Sequence, residues 1–270
     1  MGAPRVIALL TDFGTRDWYV AAMKAIILSR CPSASLVDIT HEVPAQDIVS
    51  GAFVLAAAVP WFPRGAVIVG VVDPGVGSAR ALVAAEADGR FLLGPDNGLL
   101  APSCERAGRL RMVRLTPSKE WLRPVSRTFQ GRDVLAPVAA AIARGVSLAR
   151  LGRTITALTP LEVPKPVRRG KSWQGRIVHI DGFGNLLTNL PAPPAGAWPL
   201  LRYRHRAVPL VSSYYEGRTA ELVGVVGSLG FVELAMRNGS AAAKLRARRG
   251  EPVELSISSR SAPRGRRSTS

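Results

Sequence analysis

Cysteine is nearly absent: of 270 residues only Cys31 and Cys104 carry a thiol, and neither has a histidine nearby at metal-ligand spacing. That excludes a disulfide framework and a zinc site, and two buried free thiols are expected. Long apolar runs are missing too. The longest, Gly51 to Phe62, is far short of the roughly 20 residues a spanning helix needs. At the N-terminus the run Val6–Leu10 meets Thr11 and Asp12 at once, so no signal-peptide core develops. No membrane partner and a cytoplasmic location are therefore expected. Acidic residues are few, 19 against 36 Lys and Arg, which leaves a net charge of +17. Such an excess raises the question of nucleic acid. Aromatics make up only 6%, however, and are not interleaved with the scattered arginines as in a single-strand binder. Local basic excesses at Arg168–Lys171, Arg202–Arg206, Lys244–Arg249 and after Ser259 are read as counter-ion attraction and solubility, with no nucleic-acid partner.

What remains is a globular composition, 47% hydrophobic and 20% charged, long enough for one large domain or two modest ones. Strand and helix signals alternate first. Val6–Leu10 is a short apolar strand, and Asp17 to Arg30 reads as a helix with Val20, Met23, Ile26 and Ile27 on one stripe. Ser35–Asp38 is strand-like, and Asp47 to Val59 is an alanine-rich helix halted near Pro60. Ala66–Val72 is a β-branched run suited to a buried parallel strand. Leu82–Ala87 and Phe91–Leu93 form a hairpin around Asp88-Gly89, and Val134–Arg144 is a further helix.

Between Thr154 and Lys171 the pattern breaks into Thr- and Pro-rich sequence, and short strands with turn signals follow: Gln174–Ile180, Leu186–Asn189, Leu200–Tyr203, Glu221–Val226, Phe231–Ala235 and Val253–Ile257. A short helix is expected at Ser240–Lys244. The expected fold is an α/β domain over residues 1–160 with a central, mostly parallel sheet, then a small β-barrel over 172–258 and a disordered basic tail over 259–270.

Polar, glycine-rich segments lie just beyond several predicted strands. Asp12, at a strand end, is placed to accept hydrogen bonds from a ribose diol; the lesser alternative is that Asp12 or Thr11 caps the following helix. Asp73 and Arg80 sit at the two ends of a glycine-rich loop, as a pair holding a polar small molecule or as a structural ion pair across a tight turn. No segment matches a Walker A or dinucleotide fingerprint, a serine elbow or a metal cluster.

Seven segments occur in a telling order. Thr11-Asp12-Phe13-Gly14, Gln46-Asp47-Ile48, Val72-Asp73-Pro74-Gly75-Val76-Gly77, Gly94-Pro95-Asp96-Asn97-Gly98-Leu99 and Thr128-Phe129-Gln130-Gly131-Arg132-Asp133 stand in the first part. Asp181-Gly182-Phe183-Gly184-Asn185 and Gly227-Ser228-Leu229-Gly230-Phe231-Val232-Glu233 stand in the second. Together, from about Val6 to Ile257, they resemble the S-adenosylmethionine hydroxide adenosyltransferases (S-adenosylmethionine hydrolases), relatives of the fluorinase and chlorinase. The resemblance implies a homotrimer with sites at subunit junctions, and S-adenosylmethionine as the small-molecule substrate with no further cofactor. Asp12 then grips the ribose hydroxyls, and Asp17 and Asp181 lie near the methionine amino group. Phe183 and Asn185 meet the adenine, Ser228 the methionine end, and backbone groups at Arg237-Asn238 the adenine again. Asp73 and Arg80 match two members of an Asp–Arg–His set around the attacking water.

This sequence has Gln130 where that pattern has histidine. Glutamine donates and accepts hydrogen bonds but takes up no proton, so a general base at this position is excluded. A sulfonium is already a good leaving group, and alignment of water with the C5′–sulfur bond can carry the catalysis. The expected reaction is hydrolysis to adenosine and L-methionine. The alternatives are a binder of S-adenosylmethionine or adenosine with little turnover, and a halogenase. The resemblance implies that halogenases lack the Asp73 carboxylate, beside which a halide would cost about 4 kcal/mol at an effective dielectric of 20.

Overall fold

The computed structural model describes residues 5–162 and 164–258; the expected tail at 259–270 lies outside them. Contacts divide the chain into two compact units, with the division after Glu162.

The first unit is built on a seven-stranded sheet. Strand β1 (Arg5–Thr11) pairs in parallel with β2 (Ala34–Thr40) on one side and with β3 (Val67–Val71) on the other. Next in the sheet stands β5 (Arg90–Pro95), also parallel to β3. Then the sheet turns antiparallel through β4 (Leu82–Ala87), β6 (Leu110–Leu115) and β7 (Gly152–Ile155). The parallel pairs thus occupy the half that carries β1 and β3. The β4–β5 hairpin turns at Asp88 and Gly89, both at positive φ as its two-residue turn requires.

Burial on both faces explains why Val6–Leu10 of β1 and the whole of β3 are apolar. Ile7, Leu9, Val67, Val69 and Val71 face one core with α1 (Tyr19–Arg30) and α4 (Ala136–Ala143). Ala8, Leu10, Ile68 and Val72 face a second core on the other side, with α2 (Ile48–Ala58) and α3 (Ala101–Glu105). Asp47 caps α2, accepting hydrogen bonds from Ser50 N at 3.0 Å and Ser50 Oγ at 2.8 Å. Cys31 and Cys104 are buried and free.

Two helix boundaries differ from the sequence reading. Helix α1 begins at Tyr19 with no side-chain cap, so neither Thr11 nor Asp12 serves it. Before α4 comes one π-helical turn, Gly131–Leu135, with Gln130 at its start. Such wide turns are common at functional sites, and apolar periodicity does not announce them.

The second unit is nine strands curled into a nearly closed barrel. Its order is β12 (Arg206–Val208), β11 (Trp198–Tyr203), β16 (Pro252–Ser258), β9 (Ser172–Ile180), β10 (Leu186–Pro191), β15 (Phe231–Met236), β14 (Leu222–Val226) and β13 (Leu210–Val211). β8 (Val167–Arg169) pairs with β9, so strand structure begins within the segment read as a break. A Cβ at Gly224 on β14 would come within 2.3 Å of Leu201 on β11, which brings the two ends of this path face to face around the Leu201–Val232–Leu255 core.

Short helix α5 (Ala241–Leu245) is capped by Ser240, whose Oγ accepts from Ala243 N at 3.0 Å. Its Ala242 N donates to Gly184 O at 2.9 Å, which docks the Asp181–Asn185 turn onto the helix start. Gly184 has φ +81°, and a Cβ there would lie 2.0 Å from Ser240 Oγ. Gly184→Ala should therefore destabilise this unit by about 2 kcal/mol or more, from left-handed strain plus the clash. Chemical denaturation with Gly184→Ala/Ser240→Gly as partner checks this: the double variant should recover part of the loss, and an unchanged single variant would contradict the packing.

Candidate active site

Strand β3 runs out at Val71, and Asp73 stands two residues later at the carboxyl end of the parallel half-sheet, where open α/β folds place ligands. Asn97 fixes this exit, donating from Nδ2 to Val72 O at 2.9 Å and accepting from Leu99 N through Oδ1. The Asp73–Arg80 loop then folds back as two tight turns, Val76 N to Asp73 O and Ser78 N to Gly75 O. Gly77 makes the close approach possible: its φ is +83°, and a Cβ would lie 2.8 Å from Arg127 O. The loop is thereby pressed against the segment that carries Gln130.

The result is a three-residue cluster. Arg80 Nε donates to both Asp73 oxygens at 2.8 Å, and its Nη2 also donates to Asp73 Oδ2. The same Nη2 donates to Gln130 Oε1 at 2.7 Å. Both charged side chains are about nine-tenths buried. A guanidinium only donates, so this contact fixes the amide oxygen of Gln130 toward Arg80 and leaves its amide N–H groups for another partner. The motifs at 73, 80 and 130 are thus brought together.

Gln130 is held by the loop around Asp133, which is 1% exposed. Asp133 accepts from Ser126 N at 2.7 Å and from Arg132 Nε at 2.6 Å, while Leu122 N donates to Asp133 O. Burial alone would push the Asp133 carboxyl up, but the hydrogen bonds from Arg132 and Ser126 outweigh it and hold the group below its ordinary value. Phe129, beside Gln130, packs edge-on against Phe13, Trp18 and Tyr19.

Asp12 accepts from Gln46 N through Oδ2 at 2.8 Å. Its loop is pinned from below by His41, which is 4% exposed and which the motif reading did not single out. His41 Nε2 lies 2.9 Å from Asp38 Oδ1, and Nδ1 lies 2.9 Å from Thr11 Oγ1. A carboxylate only accepts, so Nε2 carries a proton toward Asp38, while Nδ1 and the Thr11 hydroxyl share the second hydrogen bond. His41 O also accepts from Gly14 N at 2.8 Å. Asp17 is exposed, two residues ahead of α1, with no hydrogen bond among the described residues.

In the second unit, Asp181, Phe183, Asn185, Ser228, Arg237 and Asn238 all line one cleft of about 1120 Å3. Asp181 is largely spent on its own turn, accepting from Phe183 N, Asn185 N and Asn185 Nδ2 at 2.8 to 2.9 Å. That turn presents the Phe183 ring 82% exposed. Tyr214, Tyr215 and Glu233 line the same cleft, and none was given a role from sequence. Arg237 stacks on Tyr215 at 4.1 Å. Among the described residues no cluster of His, Cys, Asp or Glu is placed to hold a metal, and no helix is long and apolar enough to cross a membrane.

The first unit thus carries a buried Asp–Arg–Gln cluster at its strand ends, and the second an aromatic cleft with two carboxylates. The family models are specific. That for the SAM hydroxide adenosyltransferase N-terminal domain matches residues 7–152, and that for the C-terminal domain matches 175–254. The chain belongs to this family. It is 38% identical over 260 residues to an (R)-S-adenosyl-L-methionine hydrolase of Thermus thermophilus, covering 93% of this chain and 99% of that relative. A fluorinase of Actinoplanes sp. is more distant, 29% identical over 212 residues, 68% of this chain and 71% of the fluorinase. The crystal structure of an uncharacterized conserved protein from Thermotoga maritima matches with a TM-score of 0.86 at 30% identity, covering 93% of this chain and 99% of that one.

The Asp133 lock yields a pH prediction. A carboxyl whose folded pKa is depressed stabilises the fold above its unfolded pKa, and that contribution is lost as pH falls through the folded value. Asp133→Asn should cost about 1–3 kcal/mol at neutral pH, and the gap to wild type should close below the ordinary carboxylate range. Unfolding midpoints from pH 7 down to pH 2 measure it; a gap independent of pH would contradict the assignment.

Proposed function

We propose that this protein hydrolyses S-adenosyl-L-methionine at ribose C5′, giving adenosine and L-methionine. The observation that carries this reading is the Asp73–Arg80–Gln130 cluster at the end of β3, in a chain 38% identical to an (R)-S-adenosyl-L-methionine hydrolase. The name of that relative specifies the (R) sulfonium epimer, and the same epimer is the expected substrate here.

In the reaction the water oxygen bonds to C5′ as the C5′–sulfur bond breaks, and the bonding pair leaves on sulfur as a neutral thioether. The leaving group needs no proton, so no general acid is required. The attacking water must shed one. Asp73 retains lone pairs beyond those taken by Arg80 and can accept a hydrogen bond from the water, and the proton itself late in the step. Arg80 stays protonated, fixes Asp73 and, through Oε1, orients Gln130. The Gln130 amide N–H then donates to the water. Catalysis is mainly alignment in a water-poor site.

Asp12 is the proposed partner of the ribose hydroxyls, and Asp17 of the amino group. In the second unit Phe183 and Asn185 are assigned to adenine, with backbone at Arg237 and Asn238, and Ser228 to the methionine end. Asp181 shapes the turn that presents Phe183 and adds negative charge near the amino group. The reading includes no cofactor beyond the substrate, a homotrimer and a cytoplasmic location; the motif order supports the trimer.

A second reading, a binder with little turnover, draws on Gln130 itself, which carries no proton. Incubation with both sulfonium epimers in 18O-labelled water separates the two. Labelled adenosine and unlabelled methionine are expected. Tight binding with no products over hours would favour the binder, and 5′-chloroadenosine formed in chloride buffer would point to halogenation.

A further inference from the structure

Glu233 is the one acidic side chain of the second unit's cleft that is both deeply buried and incompletely satisfied among the described residues. It is 7% exposed on β15, yet it lines the cleft beside Ser228. Its two oxygens have different surroundings. Oε2 accepts from the Tyr214 hydroxyl at 2.9 Å. Oε1 accepts no hydrogen bond among the described residues and lies at the wall of the cleft over Gly227, where an added Cβ would clash with it. Glycine at 227 is what lets this oxygen sit against the chain immediately before Ser228.

A carboxylate on so buried a side chain is costly when only one of its oxygens has a donor, and a nearby like charge makes it more so. Burial pushes Glu233 up, the Tyr214 hydrogen bond only partly offsets this, and Asp181 raises it further. Asp181 cannot relieve Glu233, because a carboxylate only accepts, and it already accepts from its own turn. The described charged lining of the cleft is completed by Arg237, which is turned onto Tyr215 and the carbonyls of Tyr215 and Gly217. Among the described residues no cation serves Glu233.

We propose that Glu233 is a specificity residue whose free Oε1 receives the α-ammonium group of the amino-acid end of the ligand, while Tyr214 holds Oε2. The assignment rests on the reading that the ligand is S-adenosylmethionine or a relative. It gives the ammonium an unspent acceptor in addition to Asp181.

S-adenosylhomocysteine and 5′-methylthioadenosine test it, because both are neutral at sulfur and share the nucleoside but only the first has an amino-acid end. Calorimetric titration of wild type, Glu233→Gln and Tyr214→Phe with both ligands is the experiment. Glutamine keeps the shape and an acceptor for Tyr214. Glu233→Gln should weaken S-adenosylhomocysteine by about ten-fold or more, the worth of a charge-assisted hydrogen bond, and leave 5′-methylthioadenosine within about two-fold. Tyr214→Phe should keep the wild-type preference between the ligands. Equal losses for both ligands in Glu233→Gln, no loss for either, or a Tyr214→Phe variant that reproduces Glu233→Gln would each overturn the assignment and leave Glu233 a support for Tyr214. Wild type binding neither ligand would remove the substrate reading and this inference together, whereas wild type binding both, with an unaltered ratio in Glu233→Gln, removes only the inference.

Discussion

The candidate site depends on one buried ion pair, Asp73 with Arg80, set where β3 leaves the sheet. A charge pair this buried is expensive to break on one side only, because the remaining charge has lost its water. The surrounding features can be understood as ways of keeping it closed. Asn97 fixes the strand exit, Gly77 lets the loop press on Arg127, and Asp133 locks the turn that carries Gln130. Each acts through backbone contacts, so the cluster is set by the fold before any ligand arrives. Preorganisation of this kind is what a reaction limited by alignment requires.

The chemistry follows from which of the three residues can move a proton. Arg80 cannot release one, and Gln130 cannot take one up. Asp73 alone remains, with the Arg80 guanidinium bonded to both of its oxygens. Such a site suits an electrophile that is already activated. A sulfonium meets that condition, since cleavage removes its charge and needs no acid to assist departure. A peptide or phosphate ester would develop negative charge that this cluster, with its one cation already paired, is poorly equipped to stabilise.

Much of this was legible in the sequence, for physical reasons. β3 announced itself because it is buried on both faces and is therefore apolar throughout, and the β4–β5 turn because Asp88-Gly89 tolerates positive φ. β6 did not, because Leu110–Leu115 reads LRMVRL, with two arginines breaking any strict alternation. β12 and β13 were too short to show a period, and the π turn after Gln130 leaves no apolar signature. Asp73, Arg80 and Gln130 were found through motifs that place polar groups beyond strand ends. His41 was missed because a single histidine gives no hint that Thr11 and Asp38 will bracket it. Glu233 lay inside a quoted motif without a role, since only the fold shows one of its oxygens bonded to Tyr214 and the other without a donor.

The central claim is that this site hydrolyses its substrate by positioning, with Asp73 and without a histidine base. Adenosine release from S-adenosylmethionine by wild type, Gln130→His and Asp73→Asn tests it most directly. Gln130→His should stay within about ten-fold of wild type in either direction, roughly 1.4 kcal/mol of barrier, while Asp73→Asn should lose about a hundred-fold or more. An inert wild type that gains about a hundred-fold or more on Gln130→His would show that a proton acceptor is missing, and would contradict the account.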